Sequence, residues 1–317
     1  MTGVGLGWLQ GTIKRAEPQQ VLALLSQTIG SEVEDRPGGT RWYSESATIG
    51  LHALAAWVPR NRPDAVETYF EVRQSALDEL GGAASLSLAA QLQDLGARFS
   101  RVDGYYDDRV RRAEPSAVAE AFRRGDTLTH VRRMKVFDTF TTAPDGDVIP
   151  DGSTVYIGSA KSEAMLRVYD KAAESGRPDA GVRWELQLRH EQAARFVAGA
   201  VATGDHLGAH VLACVRGLVD FRDRFGRERG DRAPLLDWWA AIVGDAERVG
   251  LNGPAKVDSL AKRGAWLDRQ AAPSLALLHF ALGPDWLYAL LRGGEERLTE
   301  ADWRLLGPQY ARQRDEP

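Results

Sequence analysis

The sequence is poor in the residues that build disulfides and soft-metal centres. It holds one cysteine, Cys214, and a single cysteine forms no disulfide within the chain. An inert thiol buried in an apolar helix is favoured over a nucleophile, and a reducing cytoplasm is the predicted location. The six histidines include no His-X-His pair. His206 and His210 have the i,i+4 spacing of two helix ligands, but no carboxylate motif accompanies them, which favours ordinary core or surface histidines.

Long apolar runs and phosphate-binding loops are missing as well. No apolar run reaches the roughly 18 residues of a membrane span, and no signal peptide is recognised, so no membrane partner is predicted. The glycines at 3, 5 and 7 follow no strand, which excludes a dinucleotide-binding loop. The net charge is only −4, so any contact with nucleic acid must come from a local basic patch.

The chain is long enough for two domains of ordinary size or one large one, and its hydrophobic period changes from strand-like to helical near residue 190. We predict an α+β fold with a curved, mostly antiparallel sheet of two related halves, helices on one face and a C-terminal helical region. The predicted division is a catalytic domain over 1–190 and a helical region over 191–317 that binds DNA or dimerises. The predicted strands are 6–13, 40–46, 48–58, 68–72, 97–106, 130–142, 153–158, 164–171 and 182–190. The predicted helices are 18–29, 85–95, 115–123, 193–201, 206–222, 235–249, 257–270 and 274–282.

Three of these strands carry charged side chains on one face. Alternate side chains of a strand share a face, so Arg167, Tyr169 and Lys171 are predicted to project together. The polar faces of the other two strands hold Arg183, Glu185, Gln187 and Arg189, and Arg101, Asp103, Tyr105 and Asp107. The opposite face of the first two strands is apolar, with Leu166, Val168, Trp184, Leu186 and Leu188.

The residue types on this face suit the cleavage of a phosphodiester. Tyr169, between two cations and near a carboxylate, is the predicted nucleophile, with Arg167 and Lys171 holding the phosphate. Asp103 and Glu185 are predicted to bind a hard divalent cation, Mg²⁺ or Mn²⁺, which polarises a phosphate oxygen. A covalent phosphotyrosine would conserve the energy of the broken bond, so that a nicked DNA strand can be resealed.

A second group of basic residues is predicted to contact DNA. The segment from Thr129 to Lys135 concentrates positive charge on a predicted strand, which either follows a DNA backbone or is simply exposed. The predicted DNA contacts are Arg101, Arg132, Arg133, Lys135, Lys161 and Arg183.

The residues alone leave other interpretations open. Alternating charge on strands is more often a solvated sheet face, and Tyr105, Tyr106 and Tyr156 are rival nucleophiles. A DNA-binding regulator on the same fold would bind a repeat without cutting it. A hydrolase acting on another phosphoester is a third interpretation.

The ordered set of motifs resembles the Rep_trans family, the replication initiators of rolling-circle plasmids and the related MobT-type relaxases of integrative conjugative elements. The matching segments are Ser100-Arg101-Val102-Asp103 with Asp107, Tyr156-Ile157-Gly158-Ser159, Arg167-Val168-Tyr169-Asp170-Lys171 and Arg183-Trp184-Glu185-Leu186. Two positions depart from the family pattern: Gln187 stands where many relatives have a second Glu, and Gly104 replaces a usual aliphatic residue, which is expected to loosen its strand.

The resemblance implies a function. Tyr169 would nick one strand at an origin and stay joined to the 5′ phosphate, starting rolling-circle replication or conjugative transfer. Asp103 and Glu185 match acidic positions of the motifs and are carried over as ligands of the divalent metal. The implied partners are double-stranded origin DNA with a hairpin or inverted repeat, single-stranded DNA, a host helicase and a second copy of the chain.

Overall fold

The computed structural model describes residues 3–40, 42–224, 232–244, 246–247, 249, 264 and 267–298. The strands in this part of the chain are β1 (Val4–Lys14), β2 (Val33–Arg36), β3 (Tyr43–Ile49), β4 (Ala53–Pro59), β5 (Glu67–Arg73), β6 (Ala97–Asp108), β7 (Thr127–Thr129), β8 (Met134–Thr142), β9 (Val148–Gly158), β10 (Ala164–Asp170), β11 (Val182–Arg189) and β12 (Val219–Phe221). The helices are α1 (Pro18–Ile29), α2 (Gln74–Asp94), α3 (Pro115–Arg124), α4 (Lys171–Ser175), α5 (His190–Thr203), α6 (Leu207–Leu218), α7 (Asp237–Val243), α8 (Ala272–Leu282) and α9 (Pro284–Glu295).

The ends of α1 follow directly from its sequence. Pro18 occupies an early helical position, where its missing N–H leaves no hydrogen bond unmade. The helix stops before Gly30, which adopts the left-handed conformation (φ 73) and donates its N–H to the Ser26 carbonyl. The same helix buries Val21 and Leu25 against the sheet, as the 3.6-residue period predicts.

Ten strands of the described residues form one sheet, in the order β2-β3-β4-β5-β1-β6-β11-β10-β9-β8, and its neighbouring strands are antiparallel. This order is symmetrical about the central pair, β1 and β6. Each central strand is followed by a helix, then by four strands of this sheet, the last of which pairs with it, then by a second helix. The predicted α+β fold with two halves of the same order is therefore confirmed.

The apolar face of the sheet packs against the helices. Val102, Leu186 and Val168 from three neighbouring strands lie in one buried cluster with Phe196 of α5 and Trp239 of α7. Trp184 of β11 contacts Trp239 with ring centroids 5.1 Å apart. The opposite, polar face of the same strands carries the charged side chains.

The boundary of the first compact unit differs from the predicted one. The chain divides into units Met1–Asn252 and Gly253–Pro317, so α5, α6 and α7 belong to the first unit and not to a region that begins at 191. The physical reason is that Phe196 and Trp239 complete the core beneath the central strands. The second unit contributes α8 and α9 to the described residues, and its role in DNA binding or dimerisation stays a prediction.

Several predicted elements have other limits in the structure. The strand predicted over 48–58 is broken by a turn after β3, where Gly50 has φ 53. The helix predicted over 206–222 ends at Leu218 because the next residues pair with β7 as β12. The segment predicted as strand over 130–142 becomes β8 only from Met134. The helix predicted over 257–270 lies mostly outside the described residues.

None of the helices in the described part of the chain is both long enough and apolar enough to cross a bilayer.

Candidate active site

The predicted polar side chains meet on one face of the central strands. The pairing of β10 with β11 places Arg167 opposite Glu185 and Tyr169 opposite Arg183. The pairing of β11 with β6 places Gln187 opposite Asp103. The alternation of the sequence therefore predicted the shared face correctly.

Tyr169 and Glu185 form the centre of this cluster. The Tyr169 hydroxyl donates a hydrogen bond to Oε2 of Glu185 over 3.1 Å, while Arg167 pairs with Oε1. Burial raises the pKa of the Tyr169 phenol well above its ordinary value, and the nearby Glu185 charge adds to the effect. Burial also raises the pKa of Glu185, despite its contact with Arg167. A neutral phenol thus faces a carboxylate with an increased affinity for a proton.

Asp103 adds a second carboxylate to the cluster. Arg101 binds it through two hydrogen bonds of 2.9 and 2.5 Å, and the guanidinium of Arg101 lies 4.5 Å from the Trp8 ring centroid. Nη2 of Arg167 is 3.9 Å from Asp103 and also contacts Glu185, so one guanidinium spans both acids. Gln187 contacts the same Asp103 carboxylate at 3.5 Å.

Arg183 flanks Tyr169 on the neighbouring strand. Its guanidinium makes two hydrogen bonds to Asp107, of 2.6 and 2.9 Å, and stacks 3.6 Å from the Tyr105 ring centroid. Two of the buried nitrogens that have no hydrogen-bond partner within the described part of the chain belong to the arginines nearest Tyr169: Nη1 of Arg183 and Nε of Arg167. Buried donors of this kind are normally satisfied, so both are suited to an anionic ligand.

Lys171 is placed differently from the prediction. β10 ends at Asp170, and Lys171 is the first residue of α4, where its ammonium pairs with Glu174. Its Nζ lies 6.0 Å from the Tyr169 ring centroid, so the lysine stays close to the tyrosine although it is no longer part of the strand.

A family profile described as replication initiation factor, Rep_trans, matches residues 97–290. The chain belongs to this family. The matched segment begins with β6 and contains Asp103, Tyr169 and Glu185, so the whole tyrosine–carboxylate cluster lies inside it.

Two known proteins are similar to this Rep_trans chain. The putative DNA relaxase NicK of Bacillus subtilis (strain 168) is 25% identical over 191 residues, which cover 58% of this chain and 53% of the relative. The chain therefore matches about half the length of that curated relative. The solved rolling circle replication initiator protein from Geobacillus stearothermophilus superposes with a TM-score of 0.64 at 18% identity. The superposition covers 79% of this chain and 99% of the initiator, and it establishes a shared fold.

The carboxylates fit a divalent cation in their chemistry but do not form a complete ligand set. Among the described residues, no group of three or more His, Cys, Asp or Glu side chains converges as a metal site. Asp103 and Glu185 supply hard oxygen donors, and Mg²⁺ is commonly held by one or two carboxylates together with water and phosphate oxygens. The charge of Asp103 raises the pKa of Glu185 further, which a positive ion between them would offset.

The six residues predicted to contact DNA fall into two groups. Arg101 and Arg183 lie within the cluster and are paired with Asp103 and Asp107. The other four are exposed near the β8 edge of the sheet: Arg132 and Arg133 before β8, Lys135 on β8 and Lys161 in the β9–β10 turn.

The sequence did not reveal three contributors to this face. Trp8 lies opposite Asp103 across the central pair and stacks on Arg101. Asp78 of α2 accepts a hydrogen bond of 2.7 Å from the Tyr105 hydroxyl. Phe137 lies on the same face at the β8 edge. The alternation of Lys135 and Phe137 with Val136 could have indicated Phe137, but the contacts of Trp8 and Asp78 depend on strand order.

Proposed function

We propose that the protein cuts one strand of DNA with Tyr169 as the nucleophile and remains joined to the 5′ phosphate. The observation that carries this proposal is the 3.1 Å hydrogen bond between the Tyr169 hydroxyl and Glu185 in a cluster inside the family match. The buried Tyr169 ring is only 8% exposed, so a phosphodiester reaches its oxygen when neighbouring side chains move aside.

The chain's own residues account for the proton and the charge. Glu185 Oε2 takes the phenol proton as Tyr169 Oη forms its bond to phosphorus. The bond from phosphorus to the 3′ oxygen breaks, and the leaving oxygen takes a proton from solvent water to become a 3′ hydroxyl. Nε of Arg167 and Nη1 of Arg183, which lack hydrogen-bond partners in the described residues, donate to the phosphate oxygens on which negative charge increases.

A divalent cation is proposed at Asp103 and Glu185. When bound there, it would polarise the phosphate and offset its charge. Arg167 would then share these carboxylates with the ion, since its Nη2 contacts both in the structure.

The proposed substrate is origin DNA with a hairpin or inverted repeat, cut at the start of rolling-circle replication or conjugative transfer. A single-stranded segment at the cut, a second copy of the chain and a host helicase are the proposed partners. A non-catalytic regulator would not need a phenol hydrogen-bonded to a carboxylate, so the cluster favours the enzyme over that alternative.

The test uses supercoiled plasmid that carries the origin. The wild-type protein with Mg²⁺ or Mn²⁺ should convert it to open circles, and excess chelator should stop the conversion. Tyr169→Phe should shift the plasmid in a gel without opening it, while Tyr106→Phe, a change at a tyrosine that packs against the core, should still cut. Wild-type protein that shifts plasmid but never cuts it would support the regulator instead, and full activity in chelator would remove the cation from the proposal.

A further inference from the structure

The β8–β9 hairpin carries an aromatic and basic surface that the proposed chemistry does not use. β9 pairs with β10 only from Thr154 to Gly158, whereas its pairing with β8 continues to Val148. The outer part of the hairpin therefore extends past the sheet. Phe137 is 55% exposed on this hairpin, so part of its ring is available for stacking.

Strand register connects this surface to the proposed nucleophile. Tyr169 lies opposite Thr154, and Thr154 lies opposite Phe137, so all three share one face of the sheet. In the adjacent row, Arg167, Tyr156 and Lys135 are aligned in the same way. Two strand spacings separate Phe137 from Tyr169, about 10 Å, so a strand bound at Phe137 lies within a few nucleotides of the proposed nucleophile.

The two aromatic rings border a basic groove of about 490 Å³. Phe137 meets Tyr156 edge to face, with centroids 5.4 Å apart and an interplanar angle of 82°. The groove is also lined by Arg133, Lys135 and Lys161, and no acidic side chain of the described residues lines it. The same three cations form no ion pair within the described part of the chain, so their charge is available to a ligand.

We infer that this groove, bounded by Phe137, Tyr156, Arg133, Lys135 and Lys161, binds single-stranded DNA beside the cut. Binding of single-stranded DNA in this groove is independent of the proposed nicking. Only the statement that the bound strand continues to Tyr169 rests on the proposed function. Unpaired bases stack on the exposed Phe137 ring, supported from the side by Tyr156, and the three cations follow the phosphates. A cationic groove with aromatic platforms is the general solution for binding unpaired strands, because every base has a stacking face.

The hairpin also supplies a matched control. Phe140 is 60% exposed on the same strand, but its groove is shared with acidic residues, among them Asp138, Asp151 and Asp170. Negative charge there repels a phosphate backbone, so Phe140 should not contribute to DNA binding.

The test measures binding by fluorescence anisotropy in a Tyr169→Phe background, which separates binding from cutting. The probes are a labelled oligonucleotide of about 12 thymidines and one of equal length whose residues are all abasic, with the same phosphates but no bases. The parent protein should bind the thymidine probe roughly tenfold more tightly than the abasic one. Phe137→Ala should remove this preference, whereas Phe137→Trp and Phe140→Ala should retain it.

Charge and stacking should separate in the same assay. Lys135→Ala should weaken the binding of both probes by the same factor. It should also reduce the magnitude of the slope of log affinity against log salt by about 0.7. Equal binding of the two probes by the parent protein, or an unchanged preference in Phe137→Ala, would overturn the inference. If the binding pattern holds but wild-type protein cuts no DNA, the groove stands and the proposed nicking fails.

Discussion

At the residue scale, two ionisable groups are arranged to exchange one proton. Burial raises the pKa of both Tyr169 and Glu185, so the phenol remains neutral until a base removes its proton, and Glu185 is the acceptor within hydrogen-bond distance. Such an arrangement suits a nucleophile that is used only when substrate is bound. The neighbouring Asp103 does not touch the phenol, and the two acids can therefore be tested separately.

Asp103→Asn should keep the hydrogen bond between Tyr169 and Glu185 but lose one proposed cation ligand. We expect the Mn²⁺ concentration for half-maximal nicking to rise at least about tenfold, because loss of a charged ligand weakens metal binding. Titration of Mn²⁺ in the plasmid assay measures this shift.

Asp107→Asn is the control, since Asp107 lies on the same strand and face but pairs with Arg183. It should leave the half-maximal Mn²⁺ concentration unchanged. An unchanged Mn²⁺ requirement in Asp103→Asn would remove that residue from the cation site.

At the element scale, Gly104 shows how the central strand accommodates α5. The family pattern has an aliphatic residue here, and the sequence predicted a loosened strand. The structure gives another reason, since a Cβ on Gly104 would lie 2.5 Å from Cζ of Phe196. The glycine thus makes room for the Phe196 ring and allows close packing of helix on sheet.

Gly104→Ala should therefore lower the free energy of unfolding by about 1–3 kcal/mol through overpacking. Gly7→Ala on the adjacent strand is the control, because its Cβ would meet nothing closer than 3.7 Å. It should be neutral or stabilising by up to about 1 kcal/mol. Chemical denaturation measures both variants, and equal stability of Gly104→Ala and wild type would contradict the packing account.

The elements also show what the sequence could and could not predict. Alternation placed Arg167, Tyr169 and Glu185 on one face because a strand's period does not depend on its neighbours. The end of β10 before Lys171 was missed because it is set by α4, whose first turn is capped by the Asp170 side chain. The short strands β7 and β12 were missed because each contributes only three residues and depends on a distant partner.

At the scale of the whole molecule, the buried carboxylate of Asp220 joins α6, β12 and α7 through hydrogen bonds. Asp220 of β12 is fully buried. It accepts hydrogen bonds from Arg216 of α6, from Trp239 of α7 and from Arg222, which follows β12 directly. Burial alone would raise the pKa of Asp220, but these hydrogen bonds outweigh it and hold the pKa below its usual value. Trp239 in turn packs on Trp184, directly behind the strand that carries Glu185.

Asp220→Asn should destabilise the protein by about 3–5 kcal/mol at neutral pH, because Arg216 and Arg222, whose side chains are 13% and 16% exposed, lose a fully buried counter-charge. A depressed pKa in the folded state stabilises the protein above the unfolded value of about 4, and this stabilisation is lost as the pH falls through the folded pKa. The difference in the free energy of unfolding between wild type and Asp220→Asn should therefore become smaller at acidic pH. Urea denaturation at neutral and acidic pH measures it.

Asp179→Asn provides the comparison, since Asp179 pairs with Arg177 at an exposed position. Screening by water makes such a pair weak, and no loss of stability is expected. If the difference in the free energy of unfolding between wild type and Asp220→Asn stays constant from neutral to acidic pH, Asp220 is not the ionised centre of this network.

The boundary of the first compact unit could not be predicted from the sequence, because it depends on contacts between distant residues. A change from strand to helix near residue 190 is visible in the sequence, but packing of Trp239 on Trp184 joins the two regions in one core. Local period reports the element type, whereas unit boundaries depend on contacts between distant residues.

The most direct test of the account is to find the atom that becomes attached to DNA. Wild-type protein is incubated with Mn²⁺ and a labelled single-stranded oligonucleotide that contains the origin cut site, digested with protease, and the labelled peptide is sequenced by mass spectrometry. The account predicts a 5′-phosphate ester on Tyr169 and no adduct with Tyr169→Phe. An adduct on Tyr105, Tyr106 or Tyr156, or one that persists in Tyr169→Phe, would contradict it.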